Sequence, residues 1–518
     1  MNLLPARRSV RILEQRATLD EGLLHGQDAV VIACDRERAR ALLAGLPWGG
    51  TWTRLYREAR ERGQANVLDA RIVAGKQAAP AMAVALVKRN ASPFEQLSLA
   101  ARACKRIDVP AARRVLLGTS GIEPSLAASM TEALLAATLA AGAPLPSSKS
   151  EPAPKPALDT ITLLHEETRV DVRRTTAIDR GNHLARWLTM LPPNVLDCRT
   201  YRRALRTLAQ RHGWRFRFFD EAALARLGAG AFLAVSRANA HRDAGIVRLQ
   251  YRPARTPRAG SVARLALVGK GIAFDTGGIN LKPHRSMYQM HEDMQGSAVA
   301  VGTLLALSEL EVPFEIDCWL ALTENEIGPR AYRPQEVVKA ANGVTIQVVH
   351  SDAEGRMALA DTLALAAREQ PDLILDFATL TGACVTALTE RFSGAFTNRP
   401  EWHAAIEAAG RASGERVWPF PMDEDFESDL ESPIADILQC ALDAKGDHIL
   451  AARFLNRFVP ADIPWIHLDL SAGNRSGGLA HIPTDFTGFG VRYATHLLLD
   501  GDLLRARTRR ATRRTARK

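Results

Sequence analysis

The chain's six cysteines, Cys34, Cys104, Cys198, Cys318, Cys384 and Cys440, lie far apart, and none forms a CxxC pair. That spacing excludes a thiolate zinc site and a disulfide framework, and it reads as reduced, buried thiols. No apolar run is long enough to span a bilayer, so no membrane partner is expected. The opening MNLLPARRSVRILEQRA carries scattered charge and no apolar stretch, unlike a secretion signal, so the expected location is cytoplasmic. No Walker motif, GxGxxG fingerprint, internal repeat or heptad run is present.

Charge of one sign is also missing from the body of the chain. The net charge of +10 is concentrated in residues 503–518, LLRARTRRATRRTARK, with eight basic residues and no acid. Without them, 59 basic residues face 57 acidic ones. The basicity is a tail rather than a face. It reads first as a solvated terminus, and second as a contact for nucleic acid or an anionic surface.

At 518 residues the chain is too long for one ordinary core. The Pro/Ser/Lys-rich stretch at 143–159 cannot pack a core and reads as a linker. The expected order is a small N-terminal α/β domain (1–142), that linker, a larger α/β catalytic domain with a mixed central sheet flanked by helices (160–500), and a basic tail (501–518). In the larger domain, ARLALVGKG (263–271), EIDCWLALT (315–323), TIQVVHS (345–351), LILDFATL (373–380) and WIHLDL (465–470) read as strands. AVAVGTLLALSEL (298–310) and RMALADTLALAAREQ (356–370) read as helices.

The polar residues that carry chemistry sit where these strands run out, which is where open α/β sheets bind ligands. An apolar strand delivers Lys270, and a glycine-rich loop follows with Asp275 and Lys282. Met290-His291-Glu292-Asp293-Met294 opens an apolar helix, and His350-Ser351-Asp352-Ala353-Glu354-Gly355-Arg356 joins a strand to another. Singly, each has a plain reading: a snorkelling lysine, turn and cap residues, or acids at the positive end of a helix. Together, converging carboxylates need a counter-charge, and divalent metal is the usual one.

The blocks VGKGxxFDTGGxxLKP, MxxDMxG, ENxxGxxAYRP (Glu324 to Pro334), SDAEGR, DFATLTGAC (376–384) and TGFGVR (487–492) resemble, in order and spacing, those of the leucyl aminopeptidase family. The resemblance covers residues 180–495. It implies a metal-dependent aminopeptidase acting on peptides with a leucine-type preference, two divalent metal ions (Zn²⁺ or Mn²⁺, with Mg²⁺ a further candidate), and a homo-hexamer. It implies a tight metal site of Lys270, Asp275, Asp293 and Glu354. The looser site would be Asp275, Asp352 and Glu354, helped by the Asp352 carbonyl. Lys282 and Arg356 would be catalytic outside the metal shell, with a bicarbonate held at Arg356. Met290, Thr379 and Gly382 match positions lining the pocket for the substrate's first side chain.

Two residues depart from the family's pattern. His350 stands where Asn is usual and His291 where Lys is usual, each beside an implied ligand. They read as tolerated hydrogen-bonding replacements, or as changes in the surroundings of the metals. The competing functional reading is a DNA- or RNA-associated regulator on the same scaffold. A phosphoesterase reading is disfavoured because such sites usually carry His-rich ligand sets.

Overall fold

The structure, a computed structural model, describes every residue except 1, 7–8, 75–76, 152–156, 166–169, 255–261, 444 and 505–518. The basic stretch expected at 501–518 therefore falls almost wholly outside the described residues.

The first sheet uses β1 (Arg11–Arg16), β2 (Ala29–Asp35), β3 (Val67–Ala74), β4 (Gln77–Val87), β5 (Arg114–Ser120) and β6 (Thr160–His165), in the order β1-β6-β5-β2-β4-β3. Only β3 runs antiparallel to its neighbour. The all-buried β2, AVVIACD, is the mark of a parallel strand covered on both faces. Contrary to the sequence reading, the helix Pro124–Ala141 is long and apolar enough to cross a membrane by length and composition. Here it packs into the first core through Met130, Leu134 and Ala137.

One boundary differs from the sequence expectation. The sequence places Thr160–His165 in the catalytic domain, but β6 hydrogen-bonds between β1 and β5 in the first sheet. A Pro/Ser/Lys-rich stretch shows where packing stops; it does not say which sheet the next strand will join. Residues 157–159 are already tied to the first domain, with Asp159 N donating to Arg113 O at 2.9 Å.

The chain continues through β7 (Arg215–Asp220), β8 (Gly245–Tyr251), β9 (Arg264–Asp275), β10 (Glu315–Asn325), β11 (Val337–Lys339), β12 (Thr345–Gln347), β13 (Leu373–Ala378), β14 (Ser393–Thr397), β15 (Val417–Pro419), β16 (Ile437–Leu438) and β17 (Trp465–Asp469). Eight of these form the central mixed sheet, β15-β14-β17-β13-β9-β10-β8-β7, while β11, β12 and β16 form a small side sheet. The expected strand at 345–351 is regular only over β12, and the chain then bends to present Asp352. At the sheet's centre β17, β13, β9 and β10 are mutually parallel, so their C-terminal ends share one edge. Along β9, Leu265 and Leu267 enter the core on one face, and Ala266 and Val268 the core on the other. That period-2 alternation carries Lys270 to the face covered by the helix Glu354–Ala367.

An ion pair buried on its arginine side joins the two domains. Glu132, on the helix Pro124–Ala141, accepts two hydrogen bonds of 2.8 Å from Arg492 on the helix Val491–Asp500. Burial alone would raise the Glu132 carboxyl, but Arg492 outweighs it and holds the group at about 2. Burial and the Arg492 charge hold His481 and His496 at about 3. Glu132→Gln is expected to lower the unfolding free energy by about 2 kcal/mol in denaturant titrations, because it strands the Arg492 charge. The two histidines sit below their ordinary 6.5, so the stability they contribute is present above that pH and is lost as the pH falls toward 3. Thermal melts of the native protein should therefore drop across that window.

Candidate functional site

The loops leaving β9, β10 and β13 meet the starts of two helices at the shared C-terminal edge. The ammonium of Lys270 is 2.7 Å from Asp293 Oδ1 and 2.9 Å from Glu354 Oε1, and it donates to the Thr379 carbonyl at 2.9 Å. Burial opposes its charge, yet Asp293, Glu354 and Asp275 more than compensate and raise its pKa. Lys282 reaches Asp275 Oδ2 at 2.9 Å and Asp352 Oδ1 at 2.5 Å. Burial likewise opposes its charge and Asp275 and Glu354 restore it, so it too is raised and stays charged at neutral pH. Two lysines thus face four carboxylates.

Local sequence explains how these groups approach so closely. Gly277, at φ +86°, lets the loop turn so that its N–H donates to Asp275 Oδ1 at 2.8 Å. Gly355 leaves room for the Lys270 side chain, since a Cβ there would lie 2.4 Å from Lys270 Cε. The second donor to Asp275 Oδ1 is Asn325 Nδ2, at 2.8 Å. Asn325 also donates to the Ser351 carbonyl at 3.0 Å, which Tyr332 Oη holds from another side at 2.7 Å. Ser351 Oγ donates to the Gly277 carbonyl at 2.6 Å, stitching the Asp275 loop to the Asp352 loop.

The donor set fits divalent cations. One oxygen each of Asp275, Asp293 and Glu354 lies within 4.8 Å of the others. Asp293 Oδ2 and Glu354 Oε2 are buried and have no hydrogen-bond partner among the described residues. Four carboxylates against two ammonium groups leave a net negative charge in a low-dielectric setting, which a cation relieves. Burial, despite Lys270, pushes Asp293 well up and raises Glu354. Burial and the Asp275 charge push Asp352 up to about 6.

A cleft of about 750 Å³ opens over this cluster. It is lined by Lys270, Asp275, Lys282, Met290, Asp293, Asp352, Glu354, Thr379 and Gly382, all residues singled out from the sequence. Thr379 Oγ1 also donates to Asp293 Oδ1 at 2.8 Å. Arg356 is not among the lining residues. Its Nη2 donates to both oxygens of Asp447 at 2.8 Å, and its Nη1 to the Gln439 carbonyl at 3.3 Å. The expected bicarbonate does not fit this arrangement, because Arg356 already has an anionic partner from within the chain.

Neither departing histidine joins the carboxylate cluster. His291 packs edge-on to Phe486 at 5.7 Å, and burial lowers its pKa. His350 Nδ1 accepts from the Asp352 backbone N–H at 3.2 Å, bracing that residue. Burial, then Lys282 and Arg356, lower its pKa.

Sequence reasoning missed three supports. Asn325 lies inside the quoted Glu324–Pro334 block, where its place beside Glu324 at the end of an apolar strand was the available signal. Asp469 accepts from Leu380 N at 3.0 Å and Thr381 Oγ1 at 2.7 Å, fixing the cleft wall. Glu292 lines the cleft and accepts from Asn474 Nδ2 at 2.6 Å, while burial pushes it up to about 7. No local pattern signals either of the last two, since their partners are far away in the chain.

Residues 183–495 match the model of the cytosol aminopeptidase family, catalytic domain. A probable cytosol aminopeptidase of Persephonella marina is 36% identical over 311 residues, 60% of this chain and 61% of that protein. One from Stutzerimonas stutzeri is 39% identical over 364 residues, 68% of this chain and 70% of that protein. The matched segment thus spans somewhat under two thirds of the first relative's length and slightly over two thirds of the second's. Among solved structures, the bottromycin maturation enzyme BotP in complex with Mn is similar with a TM-score of 0.77 and 28% identity, covering 91% of this chain and 98% of that one. The family model matches residues 183–495, more than half of the chain, and the chain therefore belongs to the cytosol aminopeptidase family.

Proposed function

We propose that this protein is a cytoplasmic metal-dependent aminopeptidase, releasing the N-terminal residue of peptides with a leucine-type preference. The observation that carries this reading is the buried cluster of Asp275, Asp293 and Glu354, with two unpartnered oxygens, at the floor of an open cleft. Family membership and the similarity to a Mn-bound enzyme support it.

Lys270, Asp275, Asp293 and Glu354 would hold one cation, and Asp275, Asp352 and Glu354 with the Asp352 carbonyl a second; Mn²⁺ or Zn²⁺ suits these donors. Bound there, divalent ions would supply an acidified water as nucleophile at neutral pH. The chain's residues do the rest. Lys270 would have to yield its proton to offer a lone pair to a cation held there. Lys282, still charged, faces the cleft and stabilises the oxyanion that develops at the scissile carbonyl. Met290, Thr379 and Gly382 receive the first side chain. Asn325, Tyr332 and Ser351 hold the two ligand-bearing loops at fixed separation. A hexamer is carried as part of the proposal; Tyr288, Ile434 and Leu442, exposed in the single chain, are candidates for burial between copies.

Three outcomes are expected. Purified protein releases p-nitroaniline from leucine p-nitroanilide with added Mn²⁺ or Zn²⁺, and the Asp352→Ala, Glu354→Ala double variant does not. Absence of release with any metal or N-terminal residue, from folded protein, would sink the reading. Chelation should abolish the rate and Mn²⁺ restore it. Lys282→Ala should lower kcat by about 100-fold with little change in KM, as expected when an oxyanion donor is lost. That variant should still bind metal by calorimetry, since Lys282 competes with a cation for Asp275 and Asp352.

A further inference from the structure

Arg356 is 3% exposed, follows Glu354 by two residues and lies in the same helix, Glu354–Ala367. Its guanidinium grips Asp447 through one nitrogen and both carboxylate oxygens at 2.8 Å. Asp447 is the first residue of the helix Asp447–Asn456, where the helix dipole favours its negative charge. Gly446 before it, at φ +62°, turns the chain so that the helix begins at this point. The Asp447 side chain is 25% exposed, so the pair is buried on the arginine side and open on the carboxylate side.

Gln439 links this pair to the metal-binding loop. Its carbonyl accepts from Arg356, its Oε1 accepts from the N–H groups of Val349 and His350 at 3.0 Å, and its Nε2 donates to the Ala353 carbonyl at 3.0 Å. Residues 349–353, which carry Asp352, therefore hang on a brace whose charge is balanced by Asp447.

We infer that Asp447 is the resident anion of Arg356, standing where the family resemblance puts a bicarbonate, and that this protein needs no exogenous anion there. The inference rests on the aminopeptidase reading for its kinetic consequence. Its physical basis is independent of that reading. A free anion approaching Arg356 meets a neutralised pair and is repelled by Asp447 at short range. A carboxylate tethered in the chain also has an effective concentration that a dissolved anion of ordinary abundance does not match. Asp447 acts here as a positioning residue, through Arg356 and Gln439 on the Asp352 loop. Removing it leaves a buried guanidinium without its partner, a site an added anion can refill.

The test uses the full chain in degassed, bicarbonate-free buffer with Mn²⁺. Leucine p-nitroanilide rates and melting temperatures are measured against added bicarbonate, with chloride as the ionic-strength control. Native protein should change by less than about 2-fold in rate, with no shift in Tm, because its arginine is already paired. Asp447→Gly should lose about 10-fold or more in rate, and bicarbonate but not chloride should restore most of it and raise its Tm. Asp447→Asn, which keeps the shape and removes the charge, gives the same comparison if the glycine variant does not fold. Several-fold stimulation of the native protein by bicarbonate would overturn the inference. So would an Asp447 variant whose rate and Tm ignore bicarbonate. A native protein inactive under every condition would instead count against the aminopeptidase reading, and the Tm comparison would still decide the anion question.

Discussion

The ion pairing of Lys270 with Asp293 and Glu354 is the constraint on which the rest of the site depends. An ammonium that is 4% exposed survives only among carboxylates, and carboxylates this buried survive only beside cations. Each element around it serves that balance. The parallel centre of the sheet brings the strand ends to one edge, Gly355 clears space for the lysine stem, and Thr379 caps the cluster through its hydroxyl and its carbonyl.

The same balance accounts for the layered polar support. Buried carboxylates are pushed upward in pKa, and a site that must bind cations at neutral pH cannot let them keep their protons. Neutral donors, Gly277 N and Asn325 Nδ2, hold Asp275 Oδ1 in place. Asn325, Tyr332 and Ser351 do a second job by locking two loops that come from separate strands. The Arg356–Asp447 pair extends the same logic outward, since a charge needed for rigidity near the ligands is balanced within the chain.

Much of this was legible before folding. Lys270, Asp275, Asp293, Asp352 and Glu354 stand in short blocks at the ends of apolar runs. Those blocks carry their own geometry: a strand that aims, a glycine that turns, a helix that starts. The mixed, helix-flanked sheet followed from alternating apolar runs and helical stretches. Two departures have physical reasons. β6 joined the first sheet because it pairs on both sides there, with β1 and with β5, which composition at 143–159 does not encode. Arg356 turned from the cleft because Asp447, 91 residues away in sequence, supplied a closer anion.

The sequence by itself determined the chemistry: which acids and bases are present, in what local order, and at which strand ends they emerge. Those features are fixed by bonded neighbours and by the periods of strand and helix. Only the tertiary structure decided the pairings, among them Glu132 with Arg492 across 360 residues, Glu292 with Asn474 across 182, and Arg356 with Asp447. Such contacts depend on strand order and on how helices lie across the sheet. A buried charge takes the nearest partner the fold offers it, and that choice is made only when the distant segments meet.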